Sequence, residues 1–234
     1  MKSPPTTTRD RLIVALDFPA PAKALALVSV LSGSVSIYKI GLQLYIAAGP
    51  AIVQAVAATG AKIFLDLKLH DIPNTVAKAV VAAGELGVQM LTVHLSGGSS
   101  MLKAAIEARP PHLSLLGVTV LTSSTQETLA EAGVDSKVSE QVVRLADLGR
   151  NSGIDGLITS PHEVGLLRER FGHEMTLITP GVRPAWAAAD DQKRFTTPAE
   201  ALKAGADYLV VGRPITAAED PRAAADRLIE EMAV

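Results

Sequence analysis

Eight short apolar runs recur along the whole chain, at about residues 12–18, 36–42, 62–69, 90–96, 114–121, 156–160, 175–181 and 206–213, with helix-like segments between them. A short apolar run bounded by turn signals reads as a buried strand. Residues 73–86 and 137–152 instead carry apolar positions at helical spacing. Ser160-Pro161-His162-Glu163 and Thr197-Pro198-Ala199-Glu200 each combine a capping box with proline at the first helical position, so each predicts a helix start. Gly60, Gly87, Gly153 and Gly205 precede apolar runs, where a left-handed helix terminator belongs. Regular alternation of strand and helix specifies a parallel sheet. An open, doubly wound sheet and a closed barrel share that alternation. Eight strands within about 210 residues favour the barrel. No Gly-x-Gly-x-x-Gly follows the first run to suggest a dinucleotide fold. The expectation is an α/β chain forming a single-domain (β/α)8 TIM barrel over residues 11–234, preceded by a flexible tail over residues 1–10.

Composition narrows the function classes. The chain has 234 residues and is 48% hydrophobic but only 3% aromatic, so its core must be packed from small and branched side chains. A net charge of −2 supplies no global basic field for nucleic acid. The absence of cysteine excludes disulfides and thiolate metal sites. Residues 1–8 are polar and proline-rich, without the apolar core of a secretory signal. No run is long enough to span a membrane. Neither nucleic acid nor membrane is expected as a partner, and the cytoplasm is the expected location.

In a parallel barrel the C-terminal ends of the strands carry the site. Asp17, Lys39, Asp66, Lys68, His94, Thr122, Arg183 and Arg213 all fall at or just beyond such ends. Residues 64–76, Phe-Leu-Asp-Leu-Lys-Leu-His-Asp-Ile-Pro-Asn-Thr-Val, are the densest case. Burying charge is costly unless it is paired. Asp66 and Lys68 are two apart, so they share one face of a strand. Asp71 stands at an odd offset from Asp66, beyond the strand end, and need not serve the same pocket. Alone, Asp66 and Lys68 also admit the lesser reading of a structural ion pair; the clustering at strand ends favours a site. Asp17, Lys39, Asp66 and Lys68 balance two carboxylates against two ammoniums. Such a set stays ionised out of bulk water. It has little affinity for a divalent cation, which prefers several carboxylates. No metal is expected. Gly212-Arg213 follows the last run, where barrels bind phosphate through loop amides. Arginine there adds charge-assisted hydrogen bonds, although a turn bearing a surface arginine would read the same way.

Asp66-x-Lys68-x-x-Asp71-Ile72-Pro73-x-Thr75 resembles the signature of the orotidine 5′-phosphate decarboxylase family, short bacterial type. Leu16-Asp17-Phe18, Tyr38-Lys39-Ile40-Gly41, Leu121-Thr122-Ser123, Thr179-Pro180-Gly181-Val182-Arg183 and Val211-Gly212-Arg213-Pro214-Ile215-Thr216 follow in the family's order. The resemblance runs from about Leu12 to the region of Arg222. It implies a barrel, and decarboxylation of orotidine 5′-monophosphate to uridine 5′-monophosphate in pyrimidine biosynthesis, with no cofactor or metal. It makes Lys68 the stabiliser of the C6 carbanion and its proton donor. Asp66 lies near the substrate carboxylate and orients Lys68. Lys39 and Asp17 hold ribose hydroxyls, so that Lys68, Asp66, Asp71 and Lys39 form the catalytic set. It places Asp71 and Thr75 at the ribose of the neighbouring subunit, which implies a homodimer with shared active sites. Arg183 and Gln192 match phosphate-binding positions on a loop that closes over the substrate, beside Gly212 and Arg213. Thr122 matches a substrate-binding threonine, and Ser123 is equally placed to face the pyrimidine.

Hexulose-phosphate synthase and ketogulonate-phosphate decarboxylase share Asp-x-Lys-x-x-Asp on the third strand. They place a glutamate on the second strand and recruit magnesium. Lys39 puts a positive charge there, against a metal-stabilised enediolate. A silent phosphate-binding barrel would not need the intact charge set. A phosphoribosyl isomerase gives no reason for it. His94 reads as a hydrogen-bonded core residue, His70 as structural, and Trp186 as packing within its loop.

Overall fold

The computed structural model describes residue 5 and residues 7–187 and 196–233. Eight strands appear: β1 (Leu12–Ala15), β2 (Ile37–Gly41), β3 (Lys62–Leu69), β4 (Met90–His94), β5 (Ser114–Val118), β6 (Gly156–Ile158), β7 (Thr176–Pro180) and β8 (Tyr208–Val211). Each pairs in parallel with the next, and β8 closes on β1 with Leu12 opposite Leu209. The expected (β/α)8 barrel is the fold.

Strand alternation sorts the side chains into two layers. Ile13, Ile37, Phe64, Leu116, Ile178 and Val210 belong to the cluster that fills the barrel. Their neighbours Val14, Tyr38, Leu65, Leu115, Leu177 and Leu209 pack with the helices in a second, larger cluster. Burial on both faces makes the strands read as continuous apolar runs, not alternating ones. Each fully buried Val, Leu, Ile or Phe contributes about 1.5–3 kcal/mol, which is how a chain poor in rings holds together. The helix Pro73–Glu85 buries Val76, Val80, Ala83 and Gly84, one stripe of an amphipathic helix. Gly84 is needed there because a Cβ would lie 2.5 Å from Cγ of Pro110.

The N-terminal ends of the strands are fixed by polar clamps. The residue just before β4, Gln89, accepts the amide of Ile63 at 2.7 Å through Oε1. Asp155, before β6, accepts the amide of Leu115 at 2.8 Å, and Asp207, before β8, accepts that of Leu177 at 2.8 Å. Arg109 and Arg168 pair with these two carboxylates at 3.2 and 2.8 Å. Buried carboxylates are tolerated here because they are both hydrogen-bonded and ion-paired. This end is built for register, which leaves the opposite end for chemistry.

Gly60, Gly87, Gly153 and Gly205 all have positive φ, from +74° to +111°, as their place before strands requires. Thr197 caps the helix Pro198–Lys203: its hydroxyl accepts the Glu200 amide at 3.2 Å, and the Glu200 carboxylate accepts the Thr197 amide at 2.8 Å. The start expected at Ser160 differs. Ser160 accepts the amide of His162, two residues on, at 3.2 Å, and its carbonyl accepts that of Glu163. The serine closes a turn instead of a helix, and the helix begins at Val164. Near the N-terminus, Arg9–Arg11 form a 3-10 turn, and the Asp10 carboxylate accepts hydroxyl hydrogens from Thr7 and Ser36 at 2.7 and 3.2 Å. Residues 1–4 and 6 lie outside the described residues.

Candidate active site

At the C-terminal end of the barrel the inward positions change from apolar to charged. Ala15 is followed two residues on by Asp17, Ile37 by Lys39, and Phe64 by Asp66 and then Lys68. All four charged residues line a cavity of about 370 Å³, together with Thr122, Arg183, Gly212 and Arg213. Val118, Val120, Leu121, Ile158 and Val182 form its apolar wall.

The charges form a chain of alternating sign. Lys39 Nζ lies 3.0 Å from Asp17 Oδ1 and 3.7 Å from Asp66 Oδ2. Lys68 Nζ donates to both oxygens of Asp66, at 2.8 and 2.9 Å. The Lys39 and Asp66 side chains are each only 12% exposed, whereas Asp17 is 60% exposed. The inner links are therefore poorly screened by water, while Asp17 stands at the rim. Gly41 leaves room for the outer link: a Cβ at this position would lie 3.0 Å from Lys39 Nζ and 3.3 Å from Asp17 Oδ1.

Lys68 sits on irregular backbone. Leu65 pairs with Leu91 and Leu69 with Val93, so four residues of β3 step past two of β4. Such a bulge re-aims side chains beside a site. Lys68 has φ of +50°, alone among the described non-glycine residues in being positive. That conformation costs on the order of 1–2 kcal/mol in an L-residue, and the surrounding contacts must hold it there.

The cavity lining also carries two arginines. Arg183 follows β7, and Gly212-Arg213 follows β8 at the start of the short helix Arg213–Thr216. Neither guanidinium has an ion-pair partner among the described residues. Two unpaired guanidiniums at a cavity wall suit a phosphate dianion. The amide of Arg183 donates to the Thr196 carbonyl at 3.1 Å, closing the base of the intervening segment. Gln192 lies within that segment, outside the described residues.

Asp71 and Thr75 do not line this cavity. Both are exposed, and Asp71 Oδ1 accepts the amide of Ile72. Thr122 lines the cavity and Ser123 does not. His94 is half-buried and makes a ring contact with His70, centroids 5.6 Å apart. Burial, then the nearby His70 and Lys68, push its pKa below the ordinary value. Trp186 lies against Arg227, whose guanidinium carbon is 4.8 Å from the ring centroid. Sequence reasoning passed over Thr92, a fully buried threonine on β4 that contacts both Lys68 and Asp66. The available signal was a hydroxyl at an inward position of an otherwise apolar run. Among the described residues no three His, Asp or Glu side chains are grouped so as to hold a metal ion. No described helix is long and apolar enough to cross a membrane.

A closed parallel barrel with a charged cavity at its C-terminal mouth defines the class, a (β/α)8-barrel enzyme with its site on the strand-end loops. The sequence model of the orotidine 5′-phosphate decarboxylase / HUMPS family matches residues 10–228. The chain is 50% identical over 233 residues to the orotidine 5′-phosphate decarboxylase of Syntrophotalea carbinolica, covering 96% of each sequence. It is 48% identical over 230 residues to that of Geobacter sulfurreducens, again covering 96% of each. The crystal structure of the Lactobacillus acidophilus orotidine 5′-phosphate decarboxylase superposes with a TM-score of 0.85 at 39% identity, covering 96% of this chain and 100% of that one. This chain belongs to the orotidine 5′-phosphate decarboxylase / HUMPS family.

Proposed function

We propose that this carboxy-lyase converts orotidine 5′-monophosphate to uridine 5′-monophosphate in pyrimidine biosynthesis, without metal or cofactor, and that Lys68 protonates C6. The activity is the one named for the relatives above. The observation that carries the mechanism is the alternating chain Asp17–Lys39–Asp66–Lys68, which shares one cavity with two guanidiniums that have no ion-pair partner among the described residues.

Cleavage of the bond from C6 to its carboxylate releases carbon dioxide and leaves the electron pair on C6. The barrier lies in that carbanion, since no electron sink adjoins it. An ammonium fixed beside C6 lowers its energy throughout bond breaking. Lys68 then gives C6 a proton and recovers one from water. Asp66 holds the ammonium through both carboxylate oxygens and keeps it aimed. Lys39 compensates Asp66 from the other side and, with Asp17, meets the ribose hydroxyls. Arg183, Gly212, Arg213 and Gln192 take the phosphate, and Thr122 meets the pyrimidine. Binding of the remote phosphate supplies free energy for aligning C6 with Lys68.

Asp71 and Thr75 act across a homodimer interface in this reading. Support comes from their exposure outside their own cavity and from apolar surface on neighbouring segments. Ile72 is 67% exposed after β3, and Ile46 is 80% exposed on the helix Leu42–Ala48 after β2. Exposed apolar side chains that adjoin one another mark interaction surfaces, and β2 and β3 are neighbouring strands. The reaction is placed in the cytoplasm, where pyrimidine nucleotides are made.

The direct test is loss of orotidine 5′-monophosphate absorbance, with and without exhaustive chelation. Activity should be unchanged by the chelator. Loss that magnesium restores would move the chain to the metal-dependent branch of the family, despite Lys39. A second expected result concerns the phosphate end. Arg213→Ala should lower kcat/KM by roughly 10- to 100-fold, the value of one or two charge-assisted hydrogen bonds. Substrate lacking the phosphate should barely respond. Equal losses on both substrates would make Arg213 structural.

A further inference from the structure

The amide of Lys68 has an unusual partner. Between the Leu65–Leu91 and Leu69–Val93 pairs the β3–β4 ladder is interrupted. The Lys68 amide donates there to a side chain, Thr92 Oγ1, at 2.8 Å. The same oxygen lies 3.0 Å from Asp66 Oδ1. The directions are forced by chemistry. An amide can only donate and an ionised carboxylate can only accept, so the one hydroxyl hydrogen goes to Asp66. Thr92 is 0% exposed and does not line the cavity, so it does not reach substrate.

We propose that Thr92 is the positioning residue of the site, its single hydroxyl fixing both the left-handed backbone of Lys68 and the Asp66 carboxylate that aims the Lys68 ammonium. The inference rests on the reading of Lys68 as proton donor. Asp66 is thereby held from two directions, by the ammonium and by the hydroxyl. Rotation of its carboxylate would break one bond or the other. Lys68, at φ +50°, lies in the stretch where the β3–β4 register shifts, and the hydroxyl ties its amide to β4 there. A β-branched side chain has few χ1 states on a strand, which keeps that hydroxyl in one place. Such a device governs where the ammonium stands, not how tightly nucleotide binds.

The test compares Thr92→Val, which keeps the shape and removes the hydroxyl, with Thr92→Ser, which keeps the hydroxyl. Wild-type turnover of orotidine 5′-monophosphate is measured first. Its absence would remove the functional reading itself, separately from the role of Thr92. Given wild-type activity, Thr92→Val should lose roughly 10- to 100-fold in kcat, the scale of misplacing a reacting group by about 1 Å. KM and affinity for uridine 5′-monophosphate should change by less than about threefold, because contacts to ribose and phosphate are untouched. Thr92→Ser should return kcat to within about threefold of wild type by restoring both hydrogen bonds. A valine variant with wild-type kcat overturns the proposal. So does a serine variant as slow as valine, or a loss confined to KM. If Thr92→Val does not fold, Thr92→Ala against Thr92→Ser gives the same comparison on the same criteria.

Discussion

Lys68→Ala should lower turnover of orotidine 5′-monophosphate by about 10⁴-fold or more, since stabilising the carbanion and delivering the proton each contribute on the order of 10² or more. The side chain reaches into the cavity and donates to both oxygens of Asp66. Its removal takes away the cation bonded to both Asp66 oxygens, while Lys39 and Thr92 continue to hold the carboxylate. Affinity for uridine 5′-monophosphate should change far less, because the product carries no developing charge at C6. The fold should survive, since Lys68 is partly exposed and lies outside both hydrophobic clusters. Turnover within tenfold of wild type would remove Lys68 from the chemistry.

Asp71→Ala should be severely impaired as well, yet partly rescued by mixing with Lys68→Ala. In the proposed isologous dimer, two identical sites would each be completed by Asp71 of the partner chain. A hybrid of the two variants has one site with both Lys68 and Asp71 intact, and one site lacking both. With random exchange about half the dimers are hybrids, so roughly a quarter of wild-type activity should return. Mass spectrometry of differently tagged chains would establish that exchange occurred. Exchange without recovered activity would place Asp71 in its own barrel and end the shared-site reading. The position of Asp71 makes the result informative: it is exposed, absent from the cavity lining, and five residues beyond Asp66.

The sequence exposed the barrel because burial on both faces of parallel strands leaves continuous apolar runs, and glycine and proline punctuate them. Helix boundaries at Gly60, Gly87, Gly153 and Gly205 were legible because only glycine takes positive φ without strain. The Thr197 cap was legible because its hydroxyl serves the third residue on. Ser160 carries the same capping-box pattern, but its hydroxyl is satisfied two residues on. A local motif does not say which of two nearby amides its oxygen will take.

For the site, the sequence by itself determined which strand ends carry charge. The period of a strand is two, so Asp17, Lys39 and Asp66 inherit the inward direction of the apolar residues before them. The tertiary structure alone decided how those charges meet. That Lys39 stands between Asp17 and Asp66 depends on β1, β2 and β3 being neighbours, which no local pattern encodes. The bulge at Lys68, its positive φ and its bond to Thr92 arise where two strands of unequal path length are forced to pair. Periodicity assigns a face to each side chain. Distances across the barrel exist only once closure has brought remote segments together.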